Sequence, residues 1–109
     1  MDLSLLTSSE TAKCTITDPI SGKNTDIVIE VYGIYSEGFR TAIKNMPKKP
    51  EDNAEFLAAI TVGWAGIEKD GKGLPFSSEN AVYVYRNVPI INRQVDQFIA
   101  ETKNFFPKR

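Results

Sequence analysis

The residues from Ala54 to Asn80 constrain the fold more than any other part of the sequence. The first half of this stretch, AEFLAAITVGW, is apolar on nearly every side of a helix. At about 100° per residue, its apolar residues form two arcs, one of Leu57, Ile60 and Trp64 and the other of Ala54, Ala58 and Val62. A helix that is apolar all round must be covered on several sides. We therefore expect a central helix that runs to about Trp64, with Trp64 buried at its junction with the next segment.

The second half of the stretch is predicted to leave the helix through a turn. Gly63 and Gly66 stand on either side of the only tryptophan and break the helical pattern. Asp70-Gly71 favours a type I′ turn, so residues 67–74 are predicted to form a small hairpin.

An earlier hairpin is predicted from two alternating segments near the N-terminus. Residues 11–17 place Ala12, Cys14 and Ile16 on one face, and residues 25–32 place Ile27, Ile29 and Val31 inward. The turn formers between them include Pro19 and Gly22. A lone hairpin needs helices to cover it.

Helical periodicity and capping residues predict the remaining elements. Ser36 caps a first helix with the stripe Phe39, Ala42, Ile43 and Met46, which Pro47 ends, while Pro50 opens the central helix. Ser77 caps a third helix over residues 78–86, with Ala81, Val84 and Tyr85 inward. Pro89 opens a fourth helix, whose stripe is Ile91, Val95, Phe98, Ile99 and Thr102, continued by Phe105 and Phe106.

These elements predict an α+β fold that is mainly α. An N-terminal β-hairpin is followed by about four helices, with the small Asp-Gly hairpin between helices two and three. At 109 residues the chain has the length of one domain. We divide it into a flexible N-terminal arm over 1–10, the hairpin over 11–32 and a helical part over 36–106.

The composition argues against several classes of function. Histidine is absent and there is one cysteine, so the commonest general base is missing and a multi-cysteine metal site is impossible. The net charge of −1 gives no general attraction to nucleic acid or to an anionic membrane. We expect no enzyme, no catalytic residue, no cofactor, no metal, and neither nucleic acid nor membrane as a partner. The N-terminus lacks a signal peptide's basic region, and no apolar run could span a bilayer, so we expect a cytosolic protein.

Two possible chemical signals have simpler structural explanations. Residues 66–72 fit the first positions of a phosphate-binding P-loop, but Gly73 stands where magnesium needs a Ser or Thr hydroxyl, and the predicted segment before it is a helix. Cys14 faces inward from its strand and has no histidine to activate it, so we expect a buried, structural thiol.

Four apolar residues are candidates for contacts with other proteins. Tyr83 lies roughly opposite the inward arc of its helix, and Ile90 falls outside the main stripe of the fourth helix. Phe105 and Phe106 extend that stripe to a place where the core has little left to cover it. On these grounds alone, the chain is a small α+β domain that binds proteins.

The central stretch also resembles a known family. The residues that carry the likeness are Thr61–Ile67, the Asp-Gly turn, Leu74–Ala81 and Tyr85, followed by Pro89, Gln94, Val95, Phe98 and Asn104-Phe105. They closely resemble tail assembly chaperones of long non-contractile-tailed, siphovirus-type bacteriophages and prophages. The likeness covers most of the chain after Thr11, and Trp64 to Asn80 is its most specific part.

The resemblance implies a non-catalytic role in assembly. Such chaperones bind and solubilise the tape measure protein, a very long and aggregation-prone helical polypeptide, before tail tube subunits polymerise around it. The resemblance also implies a homo-oligomer that is found in the cytoplasm of the bacterial host and is absent from the mature virion. In many of these phages a ribosomal frameshift gives an extended form that recruits the tail tube protein. An extension could follow the last helix here without disturbing the core.

The residues of the specific block have a structural explanation. We interpret as fold-determining the motif Gly63, Trp64, Gly66, Asp70, Gly71, Pro75, Phe76, Ser77 and Asn80. Partner contacts should then lie elsewhere, with the final helix and Phe105-Phe106 lining a groove or a subunit contact. With 13 basic and 14 acidic residues, we expect attraction to the client to be mainly hydrophobic. The alternative is a minor structural protein of the phage tail or head–tail joint, which would remain in purified particles.

Overall fold

The computed structural model describes residues 1–46 and 52–108. Within these residues the strands are β1 Thr11–Thr17, β2 Asn24–Tyr32, β3 Thr61–Ala65, β4 Glu68–Lys69 and β5 Lys72–Gly73. The α-helices in the same residues are α1 Glu37–Lys44, α2 Asn53–Ile60, α3 Ser78–Asn87 and α4 Pro89–Ala100. Two 3-10 helices, Leu3–Leu6 and Thr102–Phe105, lie near the ends. The predicted α+β class is confirmed. The predicted roles of Pro47 and Pro50 fall outside the described residues.

The predicted N-terminal hairpin is confirmed and forms two strands of a larger sheet. β1 and β2 pair antiparallel, and β2 also pairs antiparallel with β3, so the strand order is β1-β2-β3. Cys14 and Ile29 face each other across β1 and β2, and both are buried. Their face of the sheet also carries the buried Ile16 and Val31. The alternation read from the sequence therefore gave the correct inward face.

The prediction that the central helix reaches Trp64 is wrong, because α2 ends at Ile60. Residues 61–65 form β3, so the part over 36–106 contains strands as well as helices. Thr61 pairs with Val31 of β2, and Trp64 with Ile29, around a bulge at Val62. Thr61 and Val62 are β-branched and favour a strand. One more helical turn would have left the main-chain groups on this edge of β2 without partners, and β3 provides those partners. A short apolar run does not distinguish helix from strand by periodicity.

A close approach of two main-chain segments follows β3. Gly66 has a φ of 84°, and a Cβ there would overlap the carbonyl group of Asp26. Only glycine avoids both the strain and the overlap. β4 and β5 then pair antiparallel around Asp70 and Gly71, whose φ values are 55° and 79°.

α1 and α3 begin where the sequence places their caps, and α4 begins at Pro89 as predicted. The Ser36 hydroxyl accepts a hydrogen bond from the Phe39 amide at 3.0 Å, and the Ser77 hydroxyl accepts one from the Asn80 amide at 3.0 Å. Asp52 caps α2 through the Ala54 amide. These bonds satisfy amide groups that have no partner within the helix.

One core holds the sheet and the helices together. α2 packs against α3 and α4, and α4 packs against β1. The buried apolar residues are Cys14, Ile16, Ile29, Val31, Ala54, Leu57, Ala58, Ile60, Ile67, Ala81, Val84, Tyr85, Ile91, Val95, Ile99 and Phe105. α1 is peripheral: it has no buried residue, and Phe39 meets Phe56 of α2 with ring centroids 5.9 Å apart.

The N-terminal arm, predicted to be flexible, is joined to the last described segment. The amide of Ser9 donates to the carbonyl of Phe105 at 2.6 Å, and the Ser9 hydroxyl oxygen lies 3.2 Å from the same carbonyl oxygen. Further out, Asp2 caps the 3-10 helix Leu3–Leu6 through the Ser4 amide at 2.9 Å. The arm and the C-terminal segment therefore lie side by side.

Candidate functional site: an apolar groove with a basic rim

A groove runs between the N-terminal arm, β1 and the C-terminal segment. We call it the terminal groove; its volume is 850 Å³. Its lining residues are Leu6, Ala12, Lys13, Phe98, Thr102, Lys103, Asn104, Phe106, Pro107 and Lys108. Residues that are distant in sequence thus form one apolar concavity.

The turn after α4 decides which phenylalanine lines the terminal groove. Phe105 is 2% exposed, lies against Gly33 and meets the Phe98 ring with centroids 5.6 Å apart. Asn104 holds the turn by donating its side-chain amide to the carbonyl of Phe98 at 2.9 Å. Phe106 then continues in an extended conformation and is half-buried in the groove wall.

The four predicted contact residues are therefore not equivalent. Phe105 is a correction: it is core and offers no surface to a partner, because the 3-10 turn directs it inward. Phe106 lines the terminal groove. Tyr83 is 43% exposed, but its ring lies under the Lys69 ammonium at 4.4 Å, beside β4. Ile90 is half-buried near the start of α4. The predicted contact residues therefore do not form one patch.

Exposed apolar side chains continue the terminal groove at its mouth. Leu6 of the first 3-10 helix lines the groove and is 53% exposed. Tyr35 is 58% exposed, and its ring meets Phe106 edge-on at 6.4 Å. Single exposed apolar residues are ordinary, but a contiguous set beside a concavity is typical of an interaction site.

The rim of the terminal groove is basic. Lys13, Lys103 and Lys108 line it, and the described lining contains no acidic side chain. The Lys103 ammonium lies 4.0 Å from the Glu101 carboxylate, with both side chains largely exposed. A loose, solvated pair of this kind contributes little. A chain with almost balanced charge thus has a local excess of positive charge here.

The open edge of β1 borders the terminal groove and is partly closed by side chains. The amide of Gly33 donates to the carbonyl of Glu10, and by antiparallel alternation the main-chain groups of Lys13 and Thr15 point away from β2. At one end, the Ser9 hydroxyl donates to the carbonyl of Thr11 at 2.9 Å.

At the other end of β1, Gln94 of α4 binds both main-chain groups of Thr17. Its side-chain oxygen accepts from the Thr17 amide, and its side-chain nitrogen donates to the Thr17 carbonyl, each at 2.8 Å. Gln94 therefore occupies the position that a neighbouring strand would take.

The residues interpreted as fold-determining bind their own chain. The Trp64 indole donates to the carbonyl of Leu74 at 2.8 Å, and its ring meets Phe76 edge-on with centroids 5.1 Å apart. Asn80 donates to the carbonyl of Pro75 at 2.9 Å. Trp64 is half-buried rather than buried, which corrects the prediction, because it lies on an edge strand. It still joins the sheet to the segment that enters α3.

The segment over 66–73 differs from the sequence prediction in what precedes it. A strand, β3, leads to Gly66, where we predicted a helix. A P-loop also needs a helix directly after its lysine, whereas Lys72 lies in β5. Asp70 and Gly71 have the positive φ values of a tight turn, which explains the sequence without a phosphate.

The structure offers no reactive thiol, metal site or membrane-spanning helix among the described residues. Burial raises the pKa of the Cys14 thiol to about 11, so the thiol stays protonated at neutral pH and is a poor nucleophile. Among residues 1–46 and 52–108, no group of three or more His, Cys, Asp or Glu side chains could hold a metal ion. In the same residues, no helix is long and apolar enough to cross a membrane.

Sequence reasoning missed most of the terminal groove. The alternation of residues 11–17 leaves Lys13 on the face opposite Cys14, and Leu6, Tyr35 and Lys103 carry no local signal. They come together through the packing of α4 against β1, the bond between Ser9 and Phe105, and the contact of Tyr35 with Phe106. Comparison of the chain with protein-family models, with curated proteins and with solved structures found no match.

Proposed function

We propose that this protein is a tail assembly chaperone of a siphovirus-type phage or prophage, which binds and solubilises the tape measure protein without catalysis. The residues from Trp64 to Asn80 support the family assignment through their resemblance. The observation that carries the mechanism is the terminal groove, an apolar concavity bordered by exposed Leu6 and Tyr35. A helical client with one apolar face would bury that face here before the tail tube covers it.

The proposal includes where the protein acts and what else it binds. It works in the cytoplasm of the bacterial host and leaves before the virion is complete. It self-associates along its client, because weak contacts to a long polypeptide add up when the binding subunits are arrayed. A frameshift-extended form would bring the tail tube protein. In this proposal the small Asp70-Gly71 hairpin persists in solution and holds Lys69 over Tyr83.

Co-expression with the tape measure protein encoded in the same phage or prophage genome tests the client. The wild type should keep the client in the soluble fraction, and Phe106→Asp should release it to the pellet while the variant itself stays folded by circular dichroism. Ile20→Asp is the matched control, because Ile20 is 94% exposed in the β1–β2 turn, away from the groove. A client that pellets equally with and without the wild type would contradict the proposal.

Purified phage particles separate the proposal from the structural-protein alternative. A chaperone should be missing from particles by mass spectrometry, although it is present in infected-cell lysate. A stoichiometric amount in the particles would favour a minor tail or head–tail protein.

Light scattering over a concentration range tests self-association. We expect the apparent mass to rise with concentration, and Tyr83→Asp with Ile90→Asp to reduce it if those residues lie at the subunit contact. A strict monomer at the highest soluble concentration would count against arrayed binding.

A further inference from the structure

We infer that the terminal groove is charge-selective, and that its occupant is an amphipathic helix with acidic residues flanking its apolar face. This inference rests on the proposed function only in taking the tape measure protein as the natural source of that helix. It changes the expectation that binding is mainly hydrophobic, because the groove has an electrostatic preference that the net charge does not reveal.

The first step is the separation of apolar and basic residues around one concavity. Phe98 and Phe106 supply half-buried aromatic surface, and Ala12 leaves room between them and β1. Apolar side chains of a partner gain most by entering such a surface. The lysines lie at the rim, where their ammonium groups stay hydrated while their aliphatic stems extend the apolar wall.

The second step is the sign of the charge. Lys13 comes from β1, whereas Lys103 and Lys108 come from the C-terminal segment, so positive charge lies on both sides of the groove. The acid next to Lys13 is Glu30, its cross-strand neighbour on β2, which accepts a hydrogen bond from the Thr11 hydroxyl at 2.7 Å and does not line the groove. Complementary rim charges favour acidic partners and reject basic ones. A second copy that met this groove with its own groove would bring a second set of lysines to the same place, so charge disfavours a symmetric groove-to-groove contact.

The third step is the conformation of the occupant. An extended segment would pair with the open edge of β1, but Gln94 and Ser9 already bind the main chain at Thr17 and Thr11. The open stretch between them contains Lys13, and a lysine on an edge strand opposes strand addition. A helix satisfies its own main chain and needs only side-chain contacts. The edge therefore favours a helix over an added strand.

Binding of synthetic peptides to the full chain tests the inference without the natural client. The probes are labelled amphipathic peptides of about 15 residues, long enough to begin to form a helix. They share one Leu/Phe face and carry either glutamate or lysine on the flanks. Fluorescence anisotropy should show the acidic peptide binding about tenfold more tightly than the basic one, since several rim pairs of modest strength act together. The difference should shrink as salt rises past about 0.15 M.

A charge-swapped variant makes the test specific to the terminal groove. Lys13→Glu, Lys103→Glu and Lys108→Glu together should reverse the preference, so that the basic peptide binds better. The matched control reverses three exposed lysines elsewhere, Lys23→Glu, Lys44→Glu and Lys72→Glu, and should keep the acidic preference. Reversal is a gain of binding, which an unfolded variant would not give.

Several outcomes would overturn the inference. Equal binding of acidic and basic peptides by the wild type would remove the charge selectivity. Retention of the acidic preference by the rim variant, or its loss in the control variant, would place the preference elsewhere. An acidic peptide broken by a central proline should lose binding, and equal binding of that peptide would mean an extended occupant.

The peptide tests and the co-expression test fail separately. Peptide discrimination combined with no solubilisation of the tape measure protein would overturn the proposed function and leave the charge selectivity standing. Solubilisation of the client combined with equal binding of acidic and basic peptides would overturn the charge selectivity and leave the proposed function standing.

Discussion

The hydroxyl groups of Thr61 and Tyr85 lie 2.7 Å apart in the core, where they join the start of β3 to α3. Thr61 also donates to the carbonyl of Leu57 at 2.7 Å, so in the Thr61–Tyr85 pair the proton comes from Tyr85. Burial is the main cause that raises the pKa of Tyr85 to about 12. This pair ties the junction between α2 and β3 to α3.

Removing the Tyr85 hydroxyl should weaken the fold without breaking it. Tyr85→Phe should lower the free energy of unfolding by about 1 kcal/mol, because one buried hydrogen bond is lost and Thr61 keeps its bond to Leu57. Urea denaturation measures the change. Tyr83→Phe, at an exposed position on the same helix, should leave the midpoint unchanged. Equal midpoints for both variants and the wild type would show that the pair contributes nothing.

Alkaline pH should destabilise the protein in two overlapping ranges. The folded pKa of Cys14 is raised from 9.0 to about 11, and that of Tyr85 from 10.0 to about 12. Above the lower value of each pair, the unfolded chain loses a proton that the folded chain keeps, so stability falls as pH rises toward the upper value. Each group contributes a loss of up to about 1.4 kcal/mol per pH unit in its range.

Cys14→Ala isolates the thiol's part in that pH dependence. Its free energy of unfolding should be lower at pH 7 because a core side chain is smaller, yet it should fall less steeply between pH 9 and 11 than that of the wild type. The wild-type thiol should also react slowly with thiol reagents until the protein unfolds. A thiol that reacts as fast as free cysteine would mean that the packing over β1 is wrong.

Two glycines provide a matched test of the close contact between the main chain after β3 and the main chain of β2. Gly66→Ala should cost more than about 1 kcal/mol, because the residue has a positive φ and a Cβ would overlap the main chain at Asp26. Gly73→Ala should be close to neutral, since nothing lies within 4 Å of its added Cβ. Thermal melts of the two variants compare them directly, and equal shifts would contradict the geometry.

Trp64 should stabilise the fold through its ring more than through its indole nitrogen. Trp64→Phe should lose about 1 kcal/mol with the hydrogen bond to Leu74. Trp64→Ala should lose about 3 kcal/mol, near the lower end for large aromatic deletions, because the ring is only half-buried. Chemical denaturation followed by circular dichroism measures both, and a native midpoint for Trp64→Ala would show that the ring is peripheral.

Gln94→Ala should open the end of β1. We expect a loss of about 1–2 kcal/mol in the free energy of unfolding, because the amide and carbonyl of Thr17 lose their protein partners. Hydrogen exchange at the Thr17 amide should accelerate. Gln97→Ala, at an exposed site on the same helix, is the control. An unchanged exchange rate in Gln94→Ala would mean that the side chain does not cover the edge in solution.

Elements with a regular pattern and a cap were predictable from the sequence. The alternation through Cys14 placed β1, Ser77 and the stripe through Val84 placed α3, and Pro89 marked the start of α4. Each signal is local, so it survives without knowledge of the tertiary fold. The boundary at Ile60 was not predictable, because the apolar residues on either side fit a helix as well as a strand, and only pairing with β2 decides between them.

The candidate site was predictable only at one residue, Phe106. Whether Phe105 or Phe106 faces the core depends on a single 3-10 turn, which side-chain periodicity of an α-helix cannot give. Lys13 and Lys103 are separated by most of the chain, and their common location depends on the packing of α4 against β1 and on the bond between Ser9 and Phe105. The almost balanced total charge also gives no sign of the three lysines that line the groove.

The amide of Gln94 makes the growth of the sheet an exchange reaction. A strand arriving at Thr17 would have to displace two hydrogen bonds before forming two of the same kind, so the net enthalpy at that position is close to zero. The incoming chain would still lose its conformational freedom. Strand addition at Thr17 is therefore disfavoured because it gains no net hydrogen bonds, without any steric block. In the proposed function this would keep a concentrated chaperone from polymerising beside its client.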